Sequence, residues 1–317
     1  MTTPRARPAS PSKPPFESSV LARAADIGTV ARFASAFAFL FVFAVVLGSA
    51  GCGQRFDNPG AGAPPTQSEL ASQALAALEE AGSAHVVLDA EGGSVSGTDA
   101  QLGVHFEGDA SLSTIAGDGE VRFPGGTLGA RLLVNQHTAY VRFMGVWYEA
   151  GSGLDDVLAK AKAQSSELLA QLSTPAGLAK FFTQFVEGDV AQGPDLDGVS
   201  TWEFDGRLRG DTLADFATAY GGFEVSTHDR AVFEKIAATS RVVVVVGQED
   251  HLPRKIELTL DQPNDVHFDS QELESGGGGK SSLTLRLSGF GEDVSFTAPK
   301  GAKPLDQLFD QLFGTLG

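Results

Sequence analysis

Residues 102–107 read LGVHFE, and this short stretch decides how the rest of the chain is interpreted. Its apolar side chains, Leu102, Val104 and Phe106, alternate with glycine, histidine and glutamate. Successive side chains of a β-strand point to opposite faces, so the stretch predicts a strand with one apolar and one polar face. A sheet of such strands needs a cover on its apolar face, because exposed apolar surface is unfavourable in water.

The same kind of pattern extends on both sides of this stretch. Between residues 84 and 150, short β-branched or aromatic runs are separated by Gly, Asp, Asn and Pro, which predicts an antiparallel meander of five or six strands. Later strands are predicted in GVSTWEFDGRL (198–208), RVVVVVGQ (241–248), HLPRKIELTLD (251–261) and SLTLRLSGF (282–290). The five consecutive valines predict a central strand that is buried on both faces.

Helical patterns alternate with these strands. Thr66 and Glu69 form a capping-box pattern, and apolar residues at helical spacing continue from there until Gly82. Further helices are predicted at 152–172, 174–186, 211–220, 227–239 and 305–313, and the one at 227–239 is predicted to be capped by Thr227. The sequence therefore predicts an α+β fold in which helices cover one face of a long antiparallel sheet.

The only cysteine in the sequence, Cys52, follows an apolar segment. Residues 33–50 carry no charge, Arg23 and Arg32 precede them, and small residues stand directly before the cysteine, which is the order typical of an export signal. The stretch VVLGSAGCGQ (45–54) resembles the lipobox of bacterial lipoproteins, although Leu47 lies two residues further from the cysteine than the usual lipobox leucine. The resemblance implies that Cys52 is linked to diacylglycerol. An uncleaved anchor and plain secretion are the alternatives.

These signals divide the chain into three predicted segments. Residues 1–51 are predicted to be a signal peptide with a disordered N-terminal region, residues 52–66 a flexible lipidated tether rich in Gly and Pro, and residues 67–317 a single domain. The product would be anchored by lipid on the extracytoplasmic face of the cell membrane.

Charge limits the partners of the exported part. The whole sequence has 23 Lys and Arg against 40 Asp and Glu; residues 1–51 hold five basic and two acidic residues, which leaves 18 against 38 and a net charge of −20. Such a surface repels phosphate backbones, so we expect no nucleic-acid partner. Net charge also disfavours electrostatic attachment to anionic lipids, so the attachment to the membrane is assigned to acyl chains.

No catalytic or metal-binding motif is recognised. The six histidines are scattered without a His-x-x-x-His pair, and PDLDG (194–198) lacks the later ligands of a calcium loop, so it is interpreted as a turn. GGGGK (276–280) lacks the spacing of a phosphate-binding loop, and no Gly-x-Ser-x-Gly elbow is present. We therefore predict a protein that is not an enzyme and has neither metal nor cofactor.

The aromatic composition leaves two interpretations of the interior open. The sequence holds 22 Phe against 3 Tyr and 2 Trp. Phe has no polar group to satisfy, whereas buried Tyr and Trp usually need a hydrogen-bond partner. A Phe-rich interior suits an ordinary dry core or a cavity for acyl chains.

Several stretches together resemble the LppX/LprG-type lipoproteins of actinobacterial envelopes. They are the lipobox cysteine with its tether, LASQALAALEEAGSAHVVLDAEG (70–92), TAYVRFMGVWYEA (138–150) and LPRKIELTLD (252–261). The resemblance implies a LolA/LolB-like fold, in which a strongly curved half-barrel sheet is covered by helices on its concave side and holds lipid acyl chains.

By this resemblance, the domain binds or transports lipids or lipoglycans in a hydrophobic cavity. The helices predicted at 154–172 and 175–186 would line that cavity, and its candidate wall residues are Leu158, Leu178, Phe181, Phe182 and Phe185. The alternative function is a non-catalytic surface interaction or scaffold lipoprotein with a solid core.

Overall fold

A computed structural model describes residues 63–308 except 95–100, 112, 124–125, 136–137, 151–179, 181, 222–224, 263–278 and 306. Three helices lie in this part of the chain: α1 (Gln67–Ala81), α2 (Gly210–Gly221) and α3 (Thr227–Ala238). Its strands are β1 (Ser83–Ser94), β2 (Gln101–Ser111), β3 (Ile115–Phe123), β4 (Gly126–Val134), β5 (Ala139–Phe143), β6 (Val146–Glu149), β7 (Val186–Gln192), β8 (Thr201–Leu208), β9 (Arg241–Gly247), β10 (Pro253–Gln262), β11 (Gly279–Ser288) and β12 (Lys303–Pro304).

The predicted capping box sets the start of α1. The Thr66 side chain accepts a hydrogen bond from the backbone N–H of Glu69, and the Glu69 carboxylate accepts one from the backbone N–H of Thr66 at 2.8 Å. These hydrogen bonds lower the pKa of Glu69. Gly82 ends the helix with φ at 74°, a left-handed conformation in which glycine meets no steric penalty.

The strands form one large, open, curved sheet. Its order is β12-β6-β5-β4-β3-β2-β1-β11-β10-β9-β8-β7. Strands β2 to β6 continue outward from β1 on one side, and β10 to β7 continue outward from β11 on the other. Because β1 pairs with β11 in antiparallel register, with Val86 opposite Leu287, this pair joins the two meanders at the centre.

The register places most apolar side chains of the long strands on one face, which we call the apolar face; the opposite one is the polar face, and Leu133 of β4 is an apolar exception there. One row of directly paired residues shows this across nine strands: Leu128, Val121, Val104, Ala90, Leu283, Leu258, Val242, Gly206 and Gly188. The alternation predicted from residues 102–107 is therefore carried through nine of the twelve strands.

The main core lies on the apolar face of β7 to β10. Leu70 and Ala74 of α1 and Val232, Phe233 and Ile236 of α3 pack there against the sheet. The centre of this cluster is Phe204 of β8, which is fully buried. A smaller cluster on β1, β2 and β11 receives Leu78 from the end of α1. Helix α1 thus runs across the apolar face from one meander to the other.

The valine run behaves as predicted. All five valines of β9, Val242 to Val246, are buried, although Val243 and Val245 lie on the polar face. The residues directly beside Val245 there are Glu203 and Lys255, whose long side chains carry aliphatic stems.

The strand predictions for 84–150 and for the C-terminal part are confirmed, and so are α2 and α3. Three details differ. The sheet is mixed, because β12 pairs with β6 in parallel. Strand β7 begins at Val186, the last residue of the helix predicted at 174–186; of that helix, residues 180 and 182–185 are helical. The cap of α3 is Ser226 rather than Thr227, since the Ser226 hydroxyl accepts the hydrogen bond from the N–H of Asp229.

Some predictions fall wholly or partly outside the described residues. The helix predicted at 152–172 lies outside them, as do the signal peptide and Cys52. Of GGGGK (276–280), residues 276–278 lie outside them, and Gly279 and Lys280 begin β11. Of the helix predicted at 305–313, residues 307–308 are helical, and Leu308 is buried against Phe143 and Tyr148.

Candidate functional site

An exposed apolar patch lies on the apolar face of β2 to β4. Val104, Val121 and Leu128 are 40%, 42% and 42% exposed. Val104 pairs directly with Val121, and Val121 pairs directly with Leu128, so the three side chains lie side by side on β2, β3 and β4. We call these three residues the apolar patch. Grouped aliphatic side chains open to water are typical of binding surfaces rather than of an ordinary exterior.

The apolar patch is continuous with the core. Ala90 of β1, the next residue in the same row, is half-buried, and beyond it the row enters the part of the sheet that the helices cover. The half-buried Phe106 lies two residues from Val104 on the same face. A hydrocarbon chain lying on the patch would therefore extend an apolar surface that already exists.

Two pairs of glycines bring neighbouring strands unusually close together on the apolar face. Gly108 stands opposite Gly117, and a Cβ added to Gly108 would lie 2.3 Å from the carbonyl oxygen of Ala116. Gly188 stands opposite Gly206, and a Cβ on Gly188 would lie 2.3 Å from the carbonyl oxygen of Asp205. These positions require glycine because of close backbone approach.

An aromatic ring covers one glycine of each pair. The Phe106 ring lies where a Cβ of Gly117 would be, and the Phe204 ring lies where a Cβ of Gly206 would be. Each ring belongs to a Phe-acid-Gly sequence, FEG at 106–108 and FDG at 204–206. The two meanders thus share one local packing arrangement, in which a phenylalanine ring fills the space above a glycine.

The polar face carries charged pairs that are open to water. Asp205 accepts two hydrogen bonds from Arg241, at 3.0 and 2.8 Å, and these lower the pKa of the Asp205 carboxyl. On β1 and β2, His85 lies 2.8 Å from Asp109, and His105 lies 2.7 Å from Asp89. These side chains give the sheet a hydrated outer surface, in contrast to the apolar patch on its other face.

The structure places two of the five predicted cavity residues. Phe185 is 6% exposed, and the Phe182 ring packs edge-on against Phe204 with 5.2 Å between ring centroids. Phe182 therefore packs against the main core, and Phe185 is buried directly before the start of β7. Leu158, Leu178 and Phe181 lie outside the described residues, so the assignment of all five to a cavity wall stays a prediction.

The apolar patch was not predicted as a site. Alternation identified its three residues as apolar-face positions, but it could not show that this part of the face is open. Burial depends on which elements pack on the sheet, and that information does not lie in the strands themselves.

The described residues hold no cluster of three or more His, Cys, Asp or Glu side chains suited to a metal ion. Within the same residues, no helix combines the length and the apolar character needed to span a bilayer.

Comparison with known proteins finds chains that are similar to this one in structure. No protein-family model matches the chain, and no curated protein matches it in sequence. Among solved structures, the lipoprotein LppX of Mycobacterium tuberculosis is 15% identical with a TM-score of 0.42, over 73% of this chain and 98% of LppX. LprF from Mycobacterium bovis is 12% identical with a TM-score of 0.36, over 75% of this chain and 100% of LprF.

A LolA superfamily protein from Nitrosomonas europaea is also similar, at 11% identity and a TM-score of 0.21, over 74% of this chain and 98% of that protein. The sequence resemblance predicted similarity to LppX/LprG-type lipoproteins and to LolA-like folds, and the similar structures include proteins of both groups. The chain is thus similar to LppX-type and LprF-type lipoproteins and to LolA superfamily proteins.

Proposed function

We propose that this protein is an extracytoplasmic lipoprotein, anchored through lipid on Cys52, that binds the acyl chains of lipids or lipoglycans on the apolar face of its sheet and acts without catalysis. The apolar patch carries the proposal, because its three aliphatic side chains are open to water on the same face that holds the main core at β7 to β10. An acyl chain is the ligand that this chemistry favours.

The hydrophobic effect is large enough for such binding. Each methylene that leaves water contributes about 0.8 kcal/mol, so ten methylenes on the apolar face contribute about 8 kcal/mol before the cost of association. Two chains of one lipid share that cost. Charge need not contribute, which agrees with an acidic protein whose polar groups lie on the other face.

The finer features of the site belong to the same proposal. The glycine pairs bend the sheet around the apolar face, which makes that face the concave one, and helices in the region 154–186 close it. Leu158, Leu178 and Phe181 would then line the far wall, with Phe182 and Phe185 at the boundary with the core.

The first test compares two neighbouring residues of β4. Leu128 lies in the apolar patch, whereas the exposed Thr127 points to the opposite face. In the chain from residue 52 with Cys52→Ser, we expect saturable binding of a dansyl-labelled fatty acid. Leu128→Asp should weaken binding at least about tenfold, or about 1.4 kcal/mol, because a carboxylate would meet the acyl chain.

Thr127→Asp is the matched control, since it adds the same charge one residue away on the polar face, and binding should be retained. If both variants bind as the parent does, the patch is not the site. If the parent binds nothing saturably, lipid binding is wrong, and a surface interaction module with a solid core takes its place.

The anchor is tested by the intact mass of the protein extracted from membranes. We expect a chain that begins at Cys52 and carries the added mass of diacylglycerol. Cys52→Ser should remove that added mass. A chain that retains residues 1–51 would instead show an uncleaved anchor, and an unmodified chain in the medium would show plain secretion.

A further inference from the structure

The C-terminal end of the described chain returns to one edge of the sheet. Strand β12 is the outermost strand there, and it pairs in parallel with β6. The N–H of the next residue, Leu305, donates a hydrogen bond of 2.9 Å to the carbonyl oxygen of Glu149 on β6. Leu305 and Leu308 then pack against β5 and β6, and we call these two leucines the C-terminal cover.

The C-terminal cover lies on the apolar face. The residues beneath it belong to β5 and β6: Phe143, Val146 and Tyr148. Phe143 stands directly opposite Ala130 of β4, and Ala130 is the next residue after Leu128 on the same face of that strand. The hydrophobic surface of the apolar patch therefore continues sideways beneath the cover, where it is closed to water.

The strand that holds the C-terminal cover in place is the shortest of the twelve in the described part of the chain. It has two residues, and one of them is Pro304, which has no N–H to donate to a neighbouring strand. Its parallel pairing is also slightly less stable per residue than antiparallel pairing such as that of β5 with β6. Segments with so few backbone hydrogen bonds open at a small part of the free energy of global unfolding.

The width of the face relates the cover to the length of a bound chain. Neighbouring strands lie about 4.8 Å apart, so the apolar patch on β2 to β4 is about 10 Å wide, and β6 lies about 10 Å beyond β4. A short acyl chain lying across the strands fits on the patch alone. A chain twice as long reaches β5 and β6, where its outer half meets the C-terminal cover.

From these observations we propose that the surface beneath the C-terminal cover is a second acyl-chain subsite, which a long acyl chain occupies by displacing Leu305 and Leu308. In the free protein the two leucines take the place of the ligand. Such a site is cryptic, because the ligand makes a minor, open conformation the dominant one. This inference rests on the proposed binding of lipid to the apolar patch, and it adds how the site responds to the length of the chain.

Hydrogen exchange measured by mass spectrometry tests the displacement in the chain from residue 52 with Cys52→Ser. Peptides that contain residues 303–308 are compared without ligand, with octanoate and with palmitate, each acid at a concentration that fully displaces the dansyl-labelled fatty acid. We expect several-fold faster exchange with palmitate alone, because displacement breaks the hydrogen bond from Leu305 to Glu149. Peptides from β1, which is paired on both sides, are the internal control and should stay protected.

A pair of variants tests the same competition from the side of the protein. Leu308→Ser removes a buried apolar contact of the cover, whereas Gln307→Ser changes the exposed residue beside it and is the matched control. A larger open fraction raises the apparent affinity in proportion, so Leu308→Ser should bind palmitate about threefold more tightly or better. Its affinity for octanoate, and both affinities of Gln307→Ser, should equal those of the parent.

The outcomes separate this subsite from the proposed function. Unchanged exchange at 303–308 with palmitate, or equally fast exchange with octanoate, overturns the subsite while lipid binding stands. Weaker binding of palmitate by Leu308→Ser also overturns it, since the leucine would then belong to the wall that holds the chain. A parent that shows no saturable binding of the dansyl-labelled fatty acid overturns the proposed function itself.

Discussion

Replacing Phe204 by alanine is expected to lower the free energy of unfolding by about 3–5 kcal/mol, the range for removing a buried aromatic ring. Phe204 is fully buried at the centre of the main core, against Phe182 and above Gly206. The surrounding strands and helices fix the shape of that space, so a cavity would remain after the ring is removed. Urea unfolding of the chain from residue 52 with Cys52→Ser measures the loss.

Phe106→Ala is the matched control, because Phe106 has the same place in the other Phe-acid-Gly sequence but is only half-buried. Its removal exposes less new surface and should cost clearly less than Phe204→Ala. Equal losses for the two variants would show that the core is not concentrated on β7 to β10. They would also contradict the description of the first meander as the open part of the apolar face.

Replacing Gly108 by alanine is expected to cost about 3 kcal/mol, at the upper end of the usual range for overpacking. The added methyl carbon would lie 2.3 Å from the Ala116 carbonyl oxygen and 2.4 Å from the Cα of Gly117. Both of these atoms belong to the backbone, so no side-chain rotation can relieve the contact. Strands β2 and β3 would have to separate, which disturbs their hydrogen bonds.

Gly119→Ala controls for the effect of adding a methyl group to this sheet. Gly119 lies on the same face of β3, and its added methyl would come no closer than 3.7 Å to any atom outside its neighbouring residues. That change should be nearly neutral, or slightly stabilising through a less flexible unfolded chain. A Gly108→Ala variant as stable as Gly119→Ala would contradict the close approach of the strands.

The sequence predicted the strands whose apolar residues alternate without interruption. In β10, Ile256, Leu258 and Leu260 mark every second position, and the structure places all three on the apolar face. The prediction succeeds because the two-residue period of a strand is a local property. The capping residues of α1 were predicted for the same reason, since Thr66 and Glu69 interact within one helical turn.

Strands β7 and β12 were not predicted, and both lie at the edges of the sheet. Strand β7 reads VEGDVAQ, in which Gly188 and Asp189 have low strand propensity, and its neighbour β8 supplies the pairing that holds it. Strand β12 has two residues and includes Pro304. At such positions tertiary pairing outweighs local preference.

The candidate site was only partly accessible to sequence reasoning. Phe182 was assigned to the cavity wall because the family resemblance places the helix predicted at 175–186 along the cavity, and the structure shows the same ring packed against Phe204. Local sequence does not distinguish a ring in a core from a ring on a cavity wall. Val121 posed the opposite problem, because its exposure depends on which elements pack over the sheet, and strand alternation carries no information on that.

The pairing of β1 with β11 also has a consequence for the order in which the sheet can be completed. All other pairs among β1 to β11 join strands that are consecutive in the chain. The pair of β1 and β11 joins His85 to Ser288, so it can form only after residue 288 has been synthesised. A ribosome makes the N-terminal strands first. One edge of β1 therefore stays unpaired while the chain between β1 and β11 is synthesised and exported. Unpaired edges invite pairing with other chains. Until β11 has been synthesised, other components of the cell must keep the unpaired edge of β1 from pairing with other chains.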